Sequence, residues 1–173
     1  MVRMGVSREG IEVHRFNPVA VAGVCLLAVL LQASIPLRLK FFSIFDLPLL
    51  VTIFFSVARR NPIFGTALGC VLGITQDALT ALPLGLFGIA KSVVGYAASS
   101  IGVRIDVENP GSRLLMTFGF YLLHRGIFQW VGVGMARVPG LEFQWGHELG
   151  AALANSVLAV VLFIGLDRLK IRR

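Results

Sequence analysis

Four ionisable side chains lie inside long apolar stretches of the sequence: Asp77, Lys91, His124 and Arg125. A charged group that faces lipid costs at least about 2.5 to 3.5 kcal/mol, so these groups are expected to face protein or water. Asp77 and Lys91 fall at similar depth on two apolar segments joined by a short turn, and we expect an ion pair between them. Three roles are open for this pair: a structural pair that fixes helix register, a polar pocket for a ligand or partner, and a proton or ion relay.

His124 and Arg125 are adjacent in the stretch "MTFGFYLLHRGIFQW". Neighbouring helical residues point about 100° apart, so the two side chains do not face one partner. We expect Arg125 to meet a carboxylate such as Asp77 or Asp46, or backbone carbonyls freed at a glycine. His124 is interpreted as a hydrogen-bonded core residue rather than a ligand. Asp46 and Glu148 lie near the outer starts of apolar segments, where the helix dipole favours a carboxylate, and both are interpreted as interfacial groups.

The stretch "GTALGCVLGITQD" places Gly65, Gly69 and Gly73 four residues apart. Each glycine costs a helix roughly 1 kcal/mol relative to alanine, but this spacing forms a smooth stripe against which another backbone packs closely in lipid. The stripe predicts either packing inside the bundle or contact with a second protein. Weaker series of small residues occur at Gly146, Gly150 and Ala154, and at Gly88, Gly95 and Gly102.

The composition of the chain indicates a membrane protein. Of 173 residues, 56% are hydrophobic and 14% are charged, against roughly 25% charged in an average soluble domain. We therefore expect one polytopic, all-α membrane domain over residues 1–173, a bundle of six transmembrane helices. The predicted spans are residues 18–35, 43–58, 62–81, 84–102, 114–133 and 147–166.

Basic residues flank these spans, which accounts for the net charge of +7 without nucleic-acid binding. Most of the 16 Lys and Arg residues fall on the side that holds both termini, and the opposite side has Arg38, Lys40 and Arg137. The positive-inside rule therefore predicts that both termini are cytoplasmic. Trp130 and Trp145 fall near the outer ends of spans five and six, where indole rings favour the interface.

The sequence lacks motifs of the common enzyme and metal-site classes. It has no paired acidic motif for magnesium, no HExxH, no GxSxG and no Walker lysine. Cys25 and Cys70 have no CxxC spacing and are interpreted as packing residues. We expect no catalytic residue, no metal and no cofactor.

Residues 45–102, "FDLPLLVTIFFSVARRNPIFGTALGCVLGITQDALTALPLGLFGIAKSVVGYAASSIG", resemble the rod-shape-determining MreD family. The resemblance rests on the order and spacing of several features rather than on one specific motif. These are an acid that opens a helix, a basic helix end, a glycine stripe that closes on an acid, a "PLG" turn and a "VGY" element, at Asp46, Arg59 and Arg60, Gly65 to Asp77, Pro83 to Gly85, and Val94 to Tyr96.

The resemblance implies a non-catalytic scaffold in the bacterial inner membrane that binds MreC and supports rod shape. MreB, RodA and a penicillin-binding transpeptidase are implied as further, indirect partners in cell-wall elongation. The implied fold is similar to that of the S-components of energy-coupling-factor transporters. An alternative is therefore a small-molecule binding subunit whose pocket is lined by Asp77, Lys91, Arg125, Trp130 and Trp145. A lipid-processing enzyme is a third, less supported alternative because motifs are missing.

Overall fold

The computed structural model describes residues 16–102, 109–138 and 144–169, and within these ranges the chain is all-helical, with no strand. The basic termini and two inter-helix segments used in the topology prediction lie largely outside these ranges. The helices are α1 Pro18–Arg38, α2 Leu47–Arg59, α3 Pro62–Leu79, α4 Leu86–Ile101, α5 Pro110–Gly134 and α6 Trp145–Asp167, with a short 3-10 helix at Lys40–Ile44 between α1 and α2.

Four of the helices begin at a shared local signal, an Asn or Asp followed within two residues by Pro. The side-chain oxygen accepts a hydrogen bond from a backbone N–H of the first turn, and Pro has no N–H that needs a partner there. These starts are Asn17-Pro18, Asp46-Leu47-Pro48, Asn61-Pro62 and Asn109-Pro110. The second predicted span, 43–58, therefore starts later as an α-helix, at Leu47.

Sequential helices run antiparallel. Phe16, just before α1, has its ring 5.2 Å from that of Phe55 near the end of α2. At the start of α5, Arg113 donates a 2.6 Å hydrogen bond to Asp167 at the end of α6. We call the end of the bundle that holds the starts of α1, α3 and α5 the Arg59 end, and the opposite end the Asp46 end.

Helix α2 is the centre of the bundle. Every residue from Pro48 to Ala58 is buried, and α2 contacts all five other helices. Phe54 and Phe55 pack edge to face and extend the core towards Phe163 on α6. The outward sides of α1, α3 and α6 are instead rich in exposed apolar side chains such as Leu26, Val71 and Val161. A surface of this kind suits contact with acyl chains rather than water.

Within the described ranges, four segments are long and apolar enough to cross a membrane: Pro18–Arg38, Lys40–Arg59, Pro62–Leu79 and Trp145–Asp167. Helix α4 is apolar but shorter, with 16 residues, and α5 is long, with 25 residues, but carries His124, Arg125 and Gln129. The prediction of an all-helical fold is confirmed in the described ranges, where these four segments are candidate membrane spans.

Candidate functional site

The glycine stripe of α3 is covered by α4. A methyl group added at Gly65, Gly69 or Gly73 would overlap backbone atoms of α4, which shows that the two helix backbones are in direct contact there. The nearest carbonyl oxygens are those of Gly95, Lys91 and Phe87, in that order. The stripe therefore packs inside the bundle, as one of the two interpretations predicted. Contact with a second protein through this stripe is excluded, because α4 already occupies it.

Asp77, near the end of α3, binds the backbone at the start of α4. It is fully buried, and its carboxylate accepts backbone hydrogen bonds from Gly85 at 2.9 Å, Phe87 at 3.0 Å and Gly88 at 3.2 Å. Gly85 precedes α4 in a left-handed conformation, with φ of 105°, and has no side chain that could cap the helix. Asp77 thus caps α4 from outside it, where the helix dipole favours a negative charge. The predicted ion pair with Lys91 is wrong.

Lys91 pairs with Asp46 instead. Its ammonium, fully buried on α4, lies 2.5 Å from Asp46 Oδ2. The other carboxylate oxygen, Oδ1, accepts a 3.0 Å hydrogen bond from the backbone N–H of Leu49 and so caps α2. Asp46 was expected at the interface as a helix-start carboxylate. The capping role is confirmed, but the residue is buried and tied to a neighbouring helix.

His124 lies beside this pair without bonding to it. Its Nε2 is 3.9 Å from Asp46 Oδ2, too far for a hydrogen bond, and its ring stacks on Phe87 at 5.8 Å between centroids. Within the described part of the chain, neither ring nitrogen has a hydrogen-bond partner. The histidine is a core residue, as predicted, but the expected hydrogen bond is absent from those residues.

Arg125 meets Glu148, not Asp77 or Asp46. Its Nε and Nη2 donate hydrogen bonds of 2.7 and 2.6 Å to the two carboxylate oxygens, which is the bidentate arrangement that suits a guanidinium. The Glu148 side chain is 3% exposed and that of Arg125 is 23% exposed. Glu148 lies in the first turn of α6, as its helix-start interpretation requires, but it is a buried ion-pair partner rather than an interfacial group.

Two side-chain amides lie at the Asp46 end near Asp46, and together with the ion pairs they form what we call the polar layer. Asn155 on α6 accepts a 2.9 Å hydrogen bond from the backbone N–H of Asp46 and donates to the carbonyl of Ile44 at 2.8 Å. Gln32 on α1 accepts from Leu47 N–H at 3.0 Å and donates to the carbonyl of Phe45 at 2.8 Å. Sequence reasoning missed both. The available signal was an amide within an apolar span, which is costly unless its polar atoms are satisfied.

Two ion pairs thus link different helices, Asp46 at the start of α2 with Lys91 on α4 and Arg125 on α5 with Glu148 on α6, whereas Asp77 is satisfied by backbone N–H groups. The pocket expected for a small ligand is not assembled from its five residues. Asp77 is bound to the start of α4, and Trp130 and Trp145 are each 70% exposed. The arrangement fixes helix register. The oxygens of Asp46, Asp77 and Glu148 already accept hydrogen bonds from the protein, which leaves little capacity to bind a ligand.

A groove is present elsewhere, between α1 and α3. It has a volume of about 490 Å³ and an apolar wall, with Arg59 at one end. It opens at the Arg59 end and runs along α1 as far as Val29 and along α3 as far as Thr75. No family model, curated protein or solved structure matches this chain.

Proposed function

We propose that this chain is a non-catalytic scaffold of the MreD type that binds the single membrane helix of MreC and connects it to the wall-synthesising proteins RodA and the penicillin-binding transpeptidase, with MreB on the cytoplasmic side. The ordered features of residues 45–102 support the family proposal. The ion pairs Asp46–Lys91 and Arg125–Glu148 support a structural role for these residues, because each charge is neutralised by another helix of the same chain.

The observation that carries the docking part of the proposal is an outward apolar stripe on α6. Its larger side chains are all more than half exposed, at Leu153, Val157, Val161 and Ile164. Towards the Asp46 end the stripe continues in Gly146 and Gly150, where an added methyl group would meet no atom within 4 Å. Small residues four apart, followed by branched apolar ones, suit close approach by a second helix in lipid.

Six spans in the inner membrane with both termini in the cytoplasm, and a bundle similar to the S-component fold, belong to the same proposal. The six antiparallel helices support it, since an even number of crossings returns the chain to its starting side. In this arrangement α4 and α5 cross the membrane against α2 and α3, so that their polar side chains face protein.

The proposal is tested by co-purification with MreC in detergent, comparing Gly150→Leu with Gly119→Leu. Both glycines have open space around them, but Gly119 lies on α5. We expect Gly150→Leu to reduce recovery of MreC on the order of tenfold, equivalent to about 1.4 kcal/mol, while Gly119→Leu does not. Equal recovery with both variants would contradict docking on α6. A stoichiometric vitamin-like ligand together with an ATPase module would favour the small-molecule alternative instead.

A further inference from the structure

The groove between α1 and α3 has the length of one membrane leaflet. On α1 its lining runs from Pro18 to Val29 and on α3 from Phe64 to Thr75. At about 1.5 Å of rise per residue this corresponds to roughly 16 Å. Half of a hydrocarbon core of about 30 Å is about 15 Å. The groove therefore begins at the Arg59 end and runs about half-way along α1, a length that corresponds to one leaflet.

Its wall is apolar over this length. Val21, Cys25 and Val29 form the α1 side and Leu68 and Leu72 much of the α3 side. The hydroxyl of Thr75, at the deep end, donates a 2.7 Å hydrogen bond to the carbonyl of Val71 and is thereby satisfied within its own helix. A volume of about 490 Å³ lies in the usual range of small-ligand pockets, roughly 300 to 1,000 Å³.

The mouth of the groove is positively charged. The Arg59 guanidinium lies 4.2 Å from the centre of the Phe64 ring, which holds it over the groove. No carboxylate of residues 16–102, 109–138 or 144–169 forms an ion pair with it. Arg60 follows directly, and the N-termini of α1 and α3, the positive ends of their dipoles, lie at the same end.

We propose that this groove binds one acyl chain of an anionic phospholipid from the leaflet that meets the Arg59 end, with the lipid phosphate at Arg59. The length of the groove and its apolar wall match an acyl chain, and the positive charge at its mouth matches the lipid phosphate. A transmembrane helix about 10 Å wide needs a contact face along the full thickness of about 30 Å, which this groove does not have. The site is separate from the α6 stripe, so the two proposals fail or succeed independently.

The test is native mass spectrometry of the full-length protein titrated with phosphatidylglycerol and, separately, phosphatidylcholine of the same acyl chains. We expect tighter binding of phosphatidylglycerol. Arg59→Gln should weaken phosphatidylglycerol on the order of fivefold, the contribution of one basic residue at an anionic surface, and leave phosphatidylcholine unchanged. The control Arg38→Gln, exposed at the opposite end, should retain the preference.

A second pair of variants tests the wall. Val71→Trp fills the groove from an exposed position, and Val93→Trp places the same side chain on an exposed part of α4. We expect Val71→Trp alone to reduce binding of both lipids. Equal binding of the two lipids, an unaltered preference in Arg59→Gln, or unaltered binding in Val71→Trp would overturn the proposal. Loss of MreC or of a second copy from Val71→Trp with lipid binding intact would assign the groove to a protein and overturn it as well.

Discussion

At the scale of single residues, the Lys91 ammonium is fully buried and its carboxylate partner is 45 positions away in the sequence. Such a pair contributes little net stability, because desolvation offsets the attraction, but loss of either partner leaves the other charge buried alone. The pair therefore specifies how α2 and α4 lie against each other.

Lys91→Met should destabilise the bundle by about 3 to 5 kcal/mol, because Asp46 is left as an unpaired buried charge. Asp46→Asn keeps an oxygen for the Leu49 N–H, so the double variant Asp46→Asn/Lys91→Met should recover much of that loss. Unfolding in detergent of the two single variants and the double variant gives the coupling free energy. Additive losses would show that the two groups are not coupled.

Asp77→Ala should open the start of α4, because three backbone N–H groups lose their acceptor. We expect a loss of about 1.5 to 3 kcal/mol, the range for a hydrogen bond to a charged group. Hydrogen exchange should increase at Gly85, Phe87 and Gly88. Thr80→Ala, in the same turn, should leave those three amides protected. Unchanged protection in Asp77→Ala would contradict the capping role.

Sequence reasoning identified Asp77, Lys91 and His124 as buried but neither the partner of Lys91 nor the burial of Asp46 and Glu148. An apolar flank and a position along a helix give the depth of Asp77, Lys91 or Arg125 in the bilayer. The direction of each side chain depends on how the helices are rotated in the assembled bundle, which local sequence does not encode. Lys91 therefore pairs with Asp46 and Arg125 with Glu148, two carboxylates that the sequence had indicated only as helix-start residues.

At the scale of elements, α3 and α4 form the most extensive helix contact of the described bundle. The glycine spacing predicted a smooth helix face, and the structure shows what covers it. The starts of α1 and α3 agree with the predicted spans, whereas α2 and α5 begin at Leu47 and Pro110 rather than at residues 43 and 114. The Asn-Pro and Asp-Leu-Pro signals act locally and were available in the sequence. The path of residues 40–46 was not, since it is set by hydrogen bonds to Gln32 and Asn155 on other helices.

Gly69→Leu should separate α3 from α4, because a side chain there overlaps the carbonyl of Lys91. The overlap involves backbone that cannot move without shifting the whole helix, and we expect a loss of about 3 kcal/mol or more, at the upper end of the usual cost of overpacking. The measurement is thermal unfolding in detergent. Gly150→Leu, on the open side of α6, should unfold within a few degrees of the unaltered protein, and a similar loss there would argue against a specific α3–α4 contact.

At the scale of the whole molecule, the antiparallel order of six helices predicts that the start of α1 and the end of α6 share one side of the membrane. With the termini in the cytoplasm, as proposed, a periplasm-dependent reporter enzyme fused at the C-terminus should be inactive, and the same enzyme inserted at Leu84, in the turn between α3 and α4, should be active. Activity at the C-terminus would contradict six crossings. A reporter that is active in the cytoplasm, fused at the same two positions, should give the reverse pattern.

The burial of α2 on all sides has a consequence for biogenesis. Its Asp46 leaves the ribosome before Lys91 has been translated, and at about 5 to 20 residues per second the intervening 45 residues take roughly 2 to 9 seconds. During that interval the carboxylate at the start of the apolar helix α2 has no Lys91 ammonium to neutralise it. We therefore expect the packing of α2 to be completed only when α4 has been inserted.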